Sequence, residues 1–312
     1  MSLEDRLESL AQALRRLGFR PVPREPMARH TSFHIGGPAD LWVAVRGEAQ
    51  LAEAVQVARR AQVPSLVLGG GTNILVADRG VRGLVIANQA RWQEPVQENG
   101  ATATTFRVDC GVPLARLARW AVQKGLAGLE WAVGIPGSVG GAVVGNAGAY
   151  GGCVADVLER VAILDVEGVR RWLERQDLEF GYRTSTFKEA QVRPVLLSVE
   201  MHLRGDAPER LQNLAREYEE RRRATQPSGA SAGSIFRNPE TVSAGKLIEE
   251  AGLKGRRVGD AVVSEKHANY ILNAGSATAE EVWALICQVQ EEVGRRFGVH
   301  LEPEIERIGE WG

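Results

Sequence analysis

A serine surrounded by very small residues is an unusual feature of the last third of this sequence. Ser234 lies in the stretch SAGSIFRNP (231–239), where an aromatic residue, a cation and an amide follow it as Phe236, Arg237 and Asn238. Neither a core strand nor an ordinary surface turn has this composition. Because small residues allow a backbone to approach another molecule closely, the stretch is a candidate site where a hydroxyl group meets a ligand.

Two glycine-rich segments could hold a phosphorylated ligand. The first is GGGTN (69–73), which follows a predicted strand, and the second is GIPGSVGGAVVGNAGAY (134–150). Glycines at the end of a strand let backbone N–H groups approach a phosphate, because no Cβ atom lies in the way. Two such segments suit a ligand with two phosphates and more than one ring, and tight turns alone remain the alternative.

Two common nucleotide-binding motifs do not fit these glycines. The dinucleotide fingerprint G-x-G-x-x-G would need a glycine at position 74, which is Ile74. A P-loop would need serine or threonine after Gly245-Lys246, and Leu247 stands there. Both a Rossmann dehydrogenase and a nucleoside triphosphate hydrolase therefore lose support.

Composition narrows the class of protein. The 312 residues suggest two or three domains, and a net charge of -1 gives no reason to expect a nucleic acid partner. No apolar run is long enough to span a membrane, and no signal peptide is apparent at the N-terminus. Three scattered cysteines without metal-ligand spacing predict reduced thiols, no metal site and a cytoplasmic location.

Strand and helix patterns are mixed along the chain, which predicts an α+β fold. Thr278 and Glu281 form a capping box before an apolar stripe that ends at Phe297. Pro113 is expected in the first turn of a short helix, and Leu3 to Leu17 have helical spacing. The predicted helices cover residues 3–17, 48–61, 113–125, 211–224 and 279–298, and the predicted strands cover residues 41–45, 63–71, 83–88, 105–111, 195–203 and a hairpin within 161–173.

Seven stretches, in order, resemble those of the UDP-N-acetylenolpyruvoylglucosamine reductase (MurB) family. They extend from about residue 25 to residue 309, so the resemblance covers nearly the whole chain. One motif alone would be a weak signal, but seven in order are specific. The stretches are TSFHIGGPAD (31–40), VLGGGTNILVADRGVRGLVI (67–86), GLEWAVGIPGSVGGAVVGNAGAYGG (128–152), FGYRTSTFK (180–188), SAGSIFRNP (231–239), AGKLIEEAGLKG (244–255) and LEPEIERIG (301–309).

The resemblance implies a fold and a cofactor. The family has a two-subdomain FAD-binding module of the vanillyl-alcohol-oxidase type and a C-terminal α+β substrate-binding domain. We therefore expect an N-terminal helix (1–24), FAD-binding subdomains (25–90 and 91–205) and a substrate-binding domain (206–312). The FAD is expected to be noncovalent, without a tether through His30. The residues expected to contact it are Gly69, Gly70, Gly71, Thr72, Asn73, Gly134, Ile135, Pro136, Gly137, Ser138, Gly140, Gly141, Asn146, Gly148, Ala149 and Tyr150.

The resemblance also implies a reaction. It is the reduction of UDP-N-acetylglucosamine enolpyruvate to UDP-N-acetylmuramate, a peptidoglycan precursor, with NADPH as hydride donor. Ser234 corresponds to the proton donor, Arg183 to the carboxylate-binding arginine and Glu304 to the active-site glutamate. The residues expected to contact the substrate are Tyr182, Arg237 and Asn238. We expect a monomer.

The sequence departs from the family pattern in three places. Arg237 stands where lysine is common, so the charge is kept. Many members carry arginine two positions after the catalytic glutamate, but here Glu306 stands there and Arg307 follows. Only KEAQVRP separates Phe187 from Val195, so the chain resembles the shorter branch, which lacks an insertion that carries a tyrosine lid.

Other functions remain open on the sequence alone. A different FAD-linked oxidase or dehydrogenase could use the same glycine segments, and so could an inactive flavin or nucleotide-sugar binder. Residues 221–223 are either a diphosphate contact or a solvated helix end. His267 and Asn269 either line the pocket or are structural.

Overall fold

A computed structural model describes residues 1–90, 104–190 and 193–312 in full, and only the backbone of residues 97, 98 and 103. Two sequence-based predictions fall partly outside the described residues. They are the start of the second block near Arg91 and the short KEAQVRP segment, which includes residues 191–192. In the part of the chain that is described, no helix is both long and apolar enough to cross a membrane.

Helices and strands are mixed along the described chain, as the α+β prediction requires. The helices are α1 (Leu3–Arg16), α2 (Glu48–Arg60), α3 (Leu114–Gln123), α4 (Val139–Val144), α5 (Thr186–Glu189), α6 (Pro208–Thr225), α7 (Ala244–Glu250) and α8 (Ala279–Phe297). The strands are β1 (Val22–Pro26), β2 (Pro38–Val45), β3 (Ser65–Leu68), β4 (Ile74–Val76), β5 (Val81–Asn88), β6 (Gln97–Glu98), β7 (Ala103–Asp109), β8 (Leu126–Ala127), β9 (Gly148–Ala149), β10 (Gly152–Cys153), β11 (Leu158–Leu164), β12 (Arg170–Glu174), β13 (Val195–Gly205), β14 (Arg257–Val258), β15 (Ala261–Val263), β16 (Ile271–Asn273) and β17 (Glu306–Ile308).

The chain forms two compact units, each built from separated segments. Unit 1 comprises residues 1–21, 43–70 and 85–222, and unit 2 comprises residues 22–42, 71–84 and 223–312. The division into linear segments at residues 24, 90 and 205 stays a prediction.

Unit 1 is organised around a large antiparallel sheet. Its strands follow the order β12-β11-β13-β7-β6, with β8 also paired to β13, and the register places Val199 between Val161 and Val108. The hairpin of β11 and β12 turns at the predicted Glu167-Gly168 pair, where the Asp165 amide donates to the Val169 carbonyl. The last residues of β2 and β5 join β3 in the order β2-β5-β3.

The core of unit 1 lies between this sheet and helices α3 and α4. Buried apolar side chains of the sheet and of both helices form one cluster, whose members include Phe106, Leu117, Val139, Val143, Phe187 and Met201. Pro113 precedes α3 and does not belong to its first turn, which corrects the sequence-based prediction. Its ψ of 125° is extended, so the helix begins at Leu114.

Unit 2 contains a three-stranded sheet, two strand pairs and helices α7 and α8. The sheet has the order β14-β15-β16, β1 pairs antiparallel with the first part of β2, and β17 pairs in parallel with β4. Helix α8 has the predicted capping box, in which Thr278 Oγ1 accepts from the Glu281 amide at 3.1 Å. The apolar stripe of α8 is buried from Val282 to Val293. Phe297, the last residue of the helix, is 38% exposed.

The stripe of α1 is likewise shorter than predicted. Leu10 and Leu14 are buried, but Leu17 is 45% exposed because the helix ends at Arg16, just before it. Gly18 follows with a φ of 84°, as expected for a stop residue.

Candidate active site

The first two residues of the GGGTN segment meet the second glycine segment in unit 1. A Cβ atom on Gly69 would lie 2.2 Å from Ser138 Oγ, and one on Gly70 would lie 2.7 Å from the Cα atom of Gly137. Such distances exclude any side chain at these two positions unless the loops separate. The glycines therefore bring two backbone loops into direct contact, which turns alone would not require.

These loops fit the phosphates of a dinucleotide-like cofactor. Within the described residues, the backbone amides of Gly70, Gly137 and Ser138 donate no hydrogen bond to the protein. Gly69 and Gly70 are also exposed. Exposed backbone N–H groups without protein acceptors can bind an anion.

Some of the predicted cofactor-binding residues have evident structural roles. Gly140 is buried against Cys110, whose Cβ atom would lie 2.9 Å from an added Cβ, and burial raises the pKa of the Cys110 thiol. Tyr150 stacks on Tyr218 with ring centroids 4.4 Å apart, and its hydroxyl donates to the Tyr218 carbonyl. Gly148 and Ala149 form β9, and the Ile135 amide donates to the Ala132 carbonyl. The remaining residues of this set that are exposed are Gly134, Pro136 and Gly141.

Arg183 lies in a tight turn that is fastened to helix α4. Gly181 and Thr184 exchange backbone hydrogen bonds, and Arg183 has a left-handed φ of 57°. Asn146 Nδ2 donates to the Gly181 carbonyl at 2.9 Å, and Ser185 Oγ donates to the Val144 carbonyl at 2.7 Å. The predicted carboxylate-binding arginine is thus held at the end of the helix that begins at the second glycine segment.

The Ser234 loop is held in unit 2 by backbone and amide contacts. The Ile235 amide donates to the Asn269 carbonyl at 2.9 Å, and Ser234 itself pairs with Tyr270 in an isolated bridge. Earlier in the loop, Ser32 and Ser231 bond twice, through the Ser231 amide to the Ser32 carbonyl and through Ser32 Oγ to the Ser231 carbonyl. Ser234 is half-buried.

Glu304 lies beside this loop. Its amide donates to the Ile235 carbonyl at 2.7 Å, and Phe236 pairs with Pro303. On its other side, Asn73 Nδ2 donates to the Glu304 carbonyl at 3.2 Å, and the Glu306 amide donates to the Asn73 carbonyl at 3.0 Å. Unit 2 therefore brings the backbones at Ser234 and Glu304 together, whereas Arg183 belongs to unit 1.

Comparisons with known proteins show the family to which this chain belongs. A model of the C-terminal domain of UDP-N-acetylenolpyruvoylglucosamine reductase matches residues 225–308, and a model of an FAD binding domain matches residues 39–174. The reductase of Desulfosudis oleivorans is 46% identical over 92% of this chain and 94% of its own length. The reductase of Synechococcus elongatus is 42% identical over 98% and 96%. The chain belongs to the UDP-N-acetylenolpyruvoylglucosamine reductase family.

The fold agrees with this family as well. A crystal structure of the reductase from Thermus caldophilus superposes with a TM-score of 0.76 at 35% identity, and the match covers 93% of this chain and 98% of that one. The protein is thus an FAD-binding oxidoreductase with a mixed α and β fold and a C-terminal domain typical of the reductase family.

Arg307, which follows the expected departure from the family pattern at Glu306, has partners of its own. Its guanidinium carbon lies 4.2 Å from the ring centroid of Trp283 and 4.1 Å from that of Trp311. The two indole rings are tilted by 59° to each other, and the guanidinium gains cation–π attraction from each. Arg307 therefore joins β17 to helix α8 and to the C-terminal residues.

The three residues predicted to contact the substrate differ in their exposure and in their hydrogen-bond partners. Arg237 Nη1 lies 3.8 Å from Glu302, while its Nε atom is buried and pairs with no atom in the described part of the chain. Asn238 Oδ1 accepts from the Ala244 amide at 3.0 Å, at the start of α7. Tyr182 is 58% exposed, and its ring centroid lies 5.6 Å from the guanidinium carbon of Arg183.

Sequence reasoning missed Ser32 and did not resolve Asn269. Ser32 lies in TSFHIGGPAD, one of the stretches that resemble the family, but nothing in the stretch pointed to the Ser234 loop. His30 has Nε2 3.0 Å from Glu25 Oε1 and stacks on Trp42 at 4.8 Å. Both contacts engage the imidazole ring within the protein.

Proposed function

We propose that the protein reduces UDP-N-acetylglucosamine enolpyruvate to UDP-N-acetylmuramate, with NADPH as hydride donor, in peptidoglycan precursor synthesis. The observation that carries the proposal is the hydrogen bond between the Glu304 amide and the Ile235 carbonyl, which sets the Ser234 and Glu304 segments side by side. The names of the relatives support the choice of substrate.

The cofactor is FAD, held noncovalently. The contacting glycine loops fit its pyrophosphate, because the backbone amides of Gly70, Gly137 and Ser138 donate to no acceptor in the part of the chain that the structure describes. When bound, FAD would supply the redox chemistry, which is hydride transfer from NADPH to the enolpyruvyl β-carbon. The remaining tasks are to orient the substrate, to neutralise the charge that develops on it and to supply one proton.

Ser234 supplies the proton. A serine hydroxyl is a weak acid in water, but hydride addition to the enolpyruvyl group leaves a strongly basic carbon, so proton transfer runs downhill. Serine also adds little bulk near the flavin. The small residues on its N-terminal side, among them Ala232 and Gly233, allow the close approach.

Arg183 binds the substrate carboxylate. Its planar and permanently charged fork matches a carboxylate group that gains negative charge as the enolate forms. The turn that holds it is fixed by Asn146 and Ser185, so the guanidinium is presented from a rigid backbone. Such a preorganised positive group stabilises the developing charge.

Glu304 acts on the same enolate. A carboxyl group beside an enolate helps only when it is protonated or when it holds a cation or a water molecule, so one of these states is part of the proposal. Its backbone is fixed from both sides, by Ile235 and by Asn73. Arg237, Asn238 and Tyr182 are proposed to contact other polar groups of the substrate.

An anaerobic two-step titration tests this function. The purified protein should be yellow, and NADPH should bleach the flavin. Addition of the enolpyruvyl substrate without oxygen should then restore the colour. Bleaching without reoxidation would indicate a different FAD-linked enzyme, and no bleaching at all would indicate a flavin binder without this activity. The monomeric state and the cytoplasmic location stay predictions.

A further inference from the structure

Asn269 is a buried asparagine whose side chain is bonded to the residue two positions after Ser234. It is 3% exposed. Its Oδ1 atom accepts from the Phe236 amide at 2.9 Å, and its Nδ2 atom donates to the Phe236 carbonyl at 2.8 Å. Its own carbonyl accepts from the Ile235 amide at 2.9 Å. One residue therefore makes three hydrogen bonds to the two residues that follow Ser234.

This arrangement takes the place of a neighbouring strand. The Ser234 loop lies outside the helices and strands and has only isolated bridges, at Ala230, Ser234 and Phe236. The backbone groups of such a loop must find partners outside a regular sheet, and side chains can supply some of them. The carboxamide of Asn269 offers one donor and one acceptor along the same edge, and Phe236 uses both.

The opposite edge of the same segment is bonded to the Glu304 segment. The Ile235 carbonyl accepts from the Glu304 amide, and the Arg237 amide donates to the Glu302 carbonyl at 2.9 Å. Asn269 on one side and the Glu304 segment on the other thus fix the plane of the backbone that carries Ser234. The side chain of Asn269 is buried and bonds to Phe236 through both Oδ1 and Nδ2, so we assign it to the loop and not to the substrate.

We propose that Asn269 is a positioning residue for Ser234, which sets the direction of the hydroxyl group through the Phe236 peptide. The inference rests on the proposed function, because Ser234 matters only if it delivers a proton. Asn269 would then affect protonation of the substrate and leave flavin reduction by NADPH unchanged.

The variant Asn269→Asp distinguishes a role in positioning Ser234 from a general role in holding the fold. The carboxylate still accepts from the Phe236 amide, but its second oxygen faces the Phe236 carbonyl, so two acceptors oppose each other. We expect flavin reduction at the normal rate and reoxidation by the substrate slowed at least about tenfold near neutral pH, equivalent to about 1.4 kcal/mol. Protonation of the new carboxyl restores a donor, so the rate of reoxidation should rise as the pH falls from about 9 to about 6.5.

Other titratable groups lie near Asn269 and could change the reoxidation rate with pH. The wild-type protein is therefore measured as the reference at each pH. His267 Nδ1 accepts from the Asn269 backbone amide, and burial lowers the pKa of His267, so the neutral form of this ring predominates over the range tested. Glu249 from α7 and Lys254 act on His267, and Glu304 lies on the far side of the loop. The readout is therefore the ratio of the variant and wild-type reoxidation rates, plotted against pH.

Thr278→Ala is the matched control. Loss of this cap removes a hydrogen bond in the same unit and destabilises the fold by about 1 kcal/mol, without touching the Ser234 loop. It should leave both half-reactions unchanged. A second variant, Asn269→Ser, introduces no charge and should slow reoxidation at every pH, so a folding failure of Asn269→Asp does not block the test.

The outcomes are distinct. Equal losses in both half-reactions, or no recovery of Asn269→Asp at low pH, would overturn the positioning role. Normal reoxidation in Asn269→Ser would overturn it as well. If the wild-type protein itself fails to reoxidise with the enolpyruvyl substrate, the proposed function has failed, and absorbance of the bound flavin in each variant identifies simple loss of cofactor.

Discussion

At the residue scale, each of the three predicted catalytic side chains has a buried or half-buried asparagine near its backbone. Asn146 bonds to the Arg183 turn, Asn73 bonds to Glu304, and Asn269 bonds to the residues after Ser234. Asn73 and Asn146 were predicted to contact FAD, and this stays a prediction. Their side-chain amides also donate to protein carbonyls, at Glu304 and Gly181. Such amides fix a loop because a buried polar group left unpaired costs about 1–3 kcal/mol.

Ser234→Ala tests the proton donor directly. Removal of the hydroxyl leaves the glycine loops intact, so flavin reduction by NADPH should stay near normal. Reoxidation by the enolpyruvyl substrate should fall by about 100-fold or more, which is the usual contribution of a positioned acid or base. Stopped-flow measurement of the two half-reactions checks this, and an equal loss in both would contradict the assigned role.

His267 should make the stability of the protein depend on pH. Burial lowers its pKa below the ordinary value of 6.5, so the unfolded chain binds the proton more readily than the folded one. The free energy of unfolding should therefore be fully retained above pH 6.5 and should decrease as the pH falls below that value. Denaturant titrations of wild type and His267→Gln should show a shallower decrease in the variant, and parallel curves would contradict the prediction.

At the scale of elements, short loops carry the candidate site while helices and strands fix where these loops start and end. Helix α4 lies within the second glycine segment and joins Ser138 to Asn146, and β17 places residues 306–308 in register with β4. The cation–π contacts of Arg307 with Trp283 and Trp311 link β17 to α8 and to the C-terminal residues. The site loops can therefore be irregular because their ends are anchored in regular structure.

Gly70→Ala should separate the two glycine loops. The new methyl group would lie 2.7 Å from the Gly137 Cα atom, which is backbone and cannot move aside cheaply. We expect the purified variant to lose most of its FAD, measured as the ratio of flavin to protein absorbance.

Gly294→Ala is the control for this substitution. It lies within α8, and the nearest atom to its new methyl group is 3.9 Å away. It should keep its flavin and gain about 0.5–1 kcal/mol of stability, because alanine is the better helix former. Normal flavin content in Gly70→Ala would contradict the assigned role of the loops.

At the scale of the whole molecule, two compact units divide the candidate residues. The FAD binding domain model matches residues 39–174 and the reductase C-terminal domain model matches residues 225–308, whereas the units are each assembled from three segments of the chain. Arg183 belongs to unit 1, and Ser234 and Glu304 belong to unit 2. Neither unit alone contains the complete set of predicted catalytic residues.

The cofactor should leave the protein when the fold is lost. Noncovalent FAD depends on backbone contacts that exist only in the folded state, so acid precipitation should give a colourless pellet and a yellow supernatant. A yellow pellet would indicate a covalent tether. It would also contradict the contacts of His30, whose ring bonds to Glu25 and stacks on Trp42.

The sequence by itself determined the features that depend on local chemistry. The capping box at Thr278, the hairpin at Glu167-Gly168 and the mixed α and β composition were predicted correctly, because spacing and turn residues specify them locally. The family, its FAD-binding domain and its C-terminal domain were also recognisable, since seven motifs kept their order.

Only the tertiary structure decided which residues hold others in place. Three contacts join residues that are far apart in sequence. They are the approach of Gly70 to Gly137, the hydrogen bonds between the Asn269 side chain and Phe236, and the packing of the Arg307 guanidinium against two indole rings. Leu17 and Phe297 fit their helical stripes in sequence but lie at helix ends, where the core no longer covers them. Local patterns cannot specify such contacts, because they form only when the chain folds back and buries polar groups against one another.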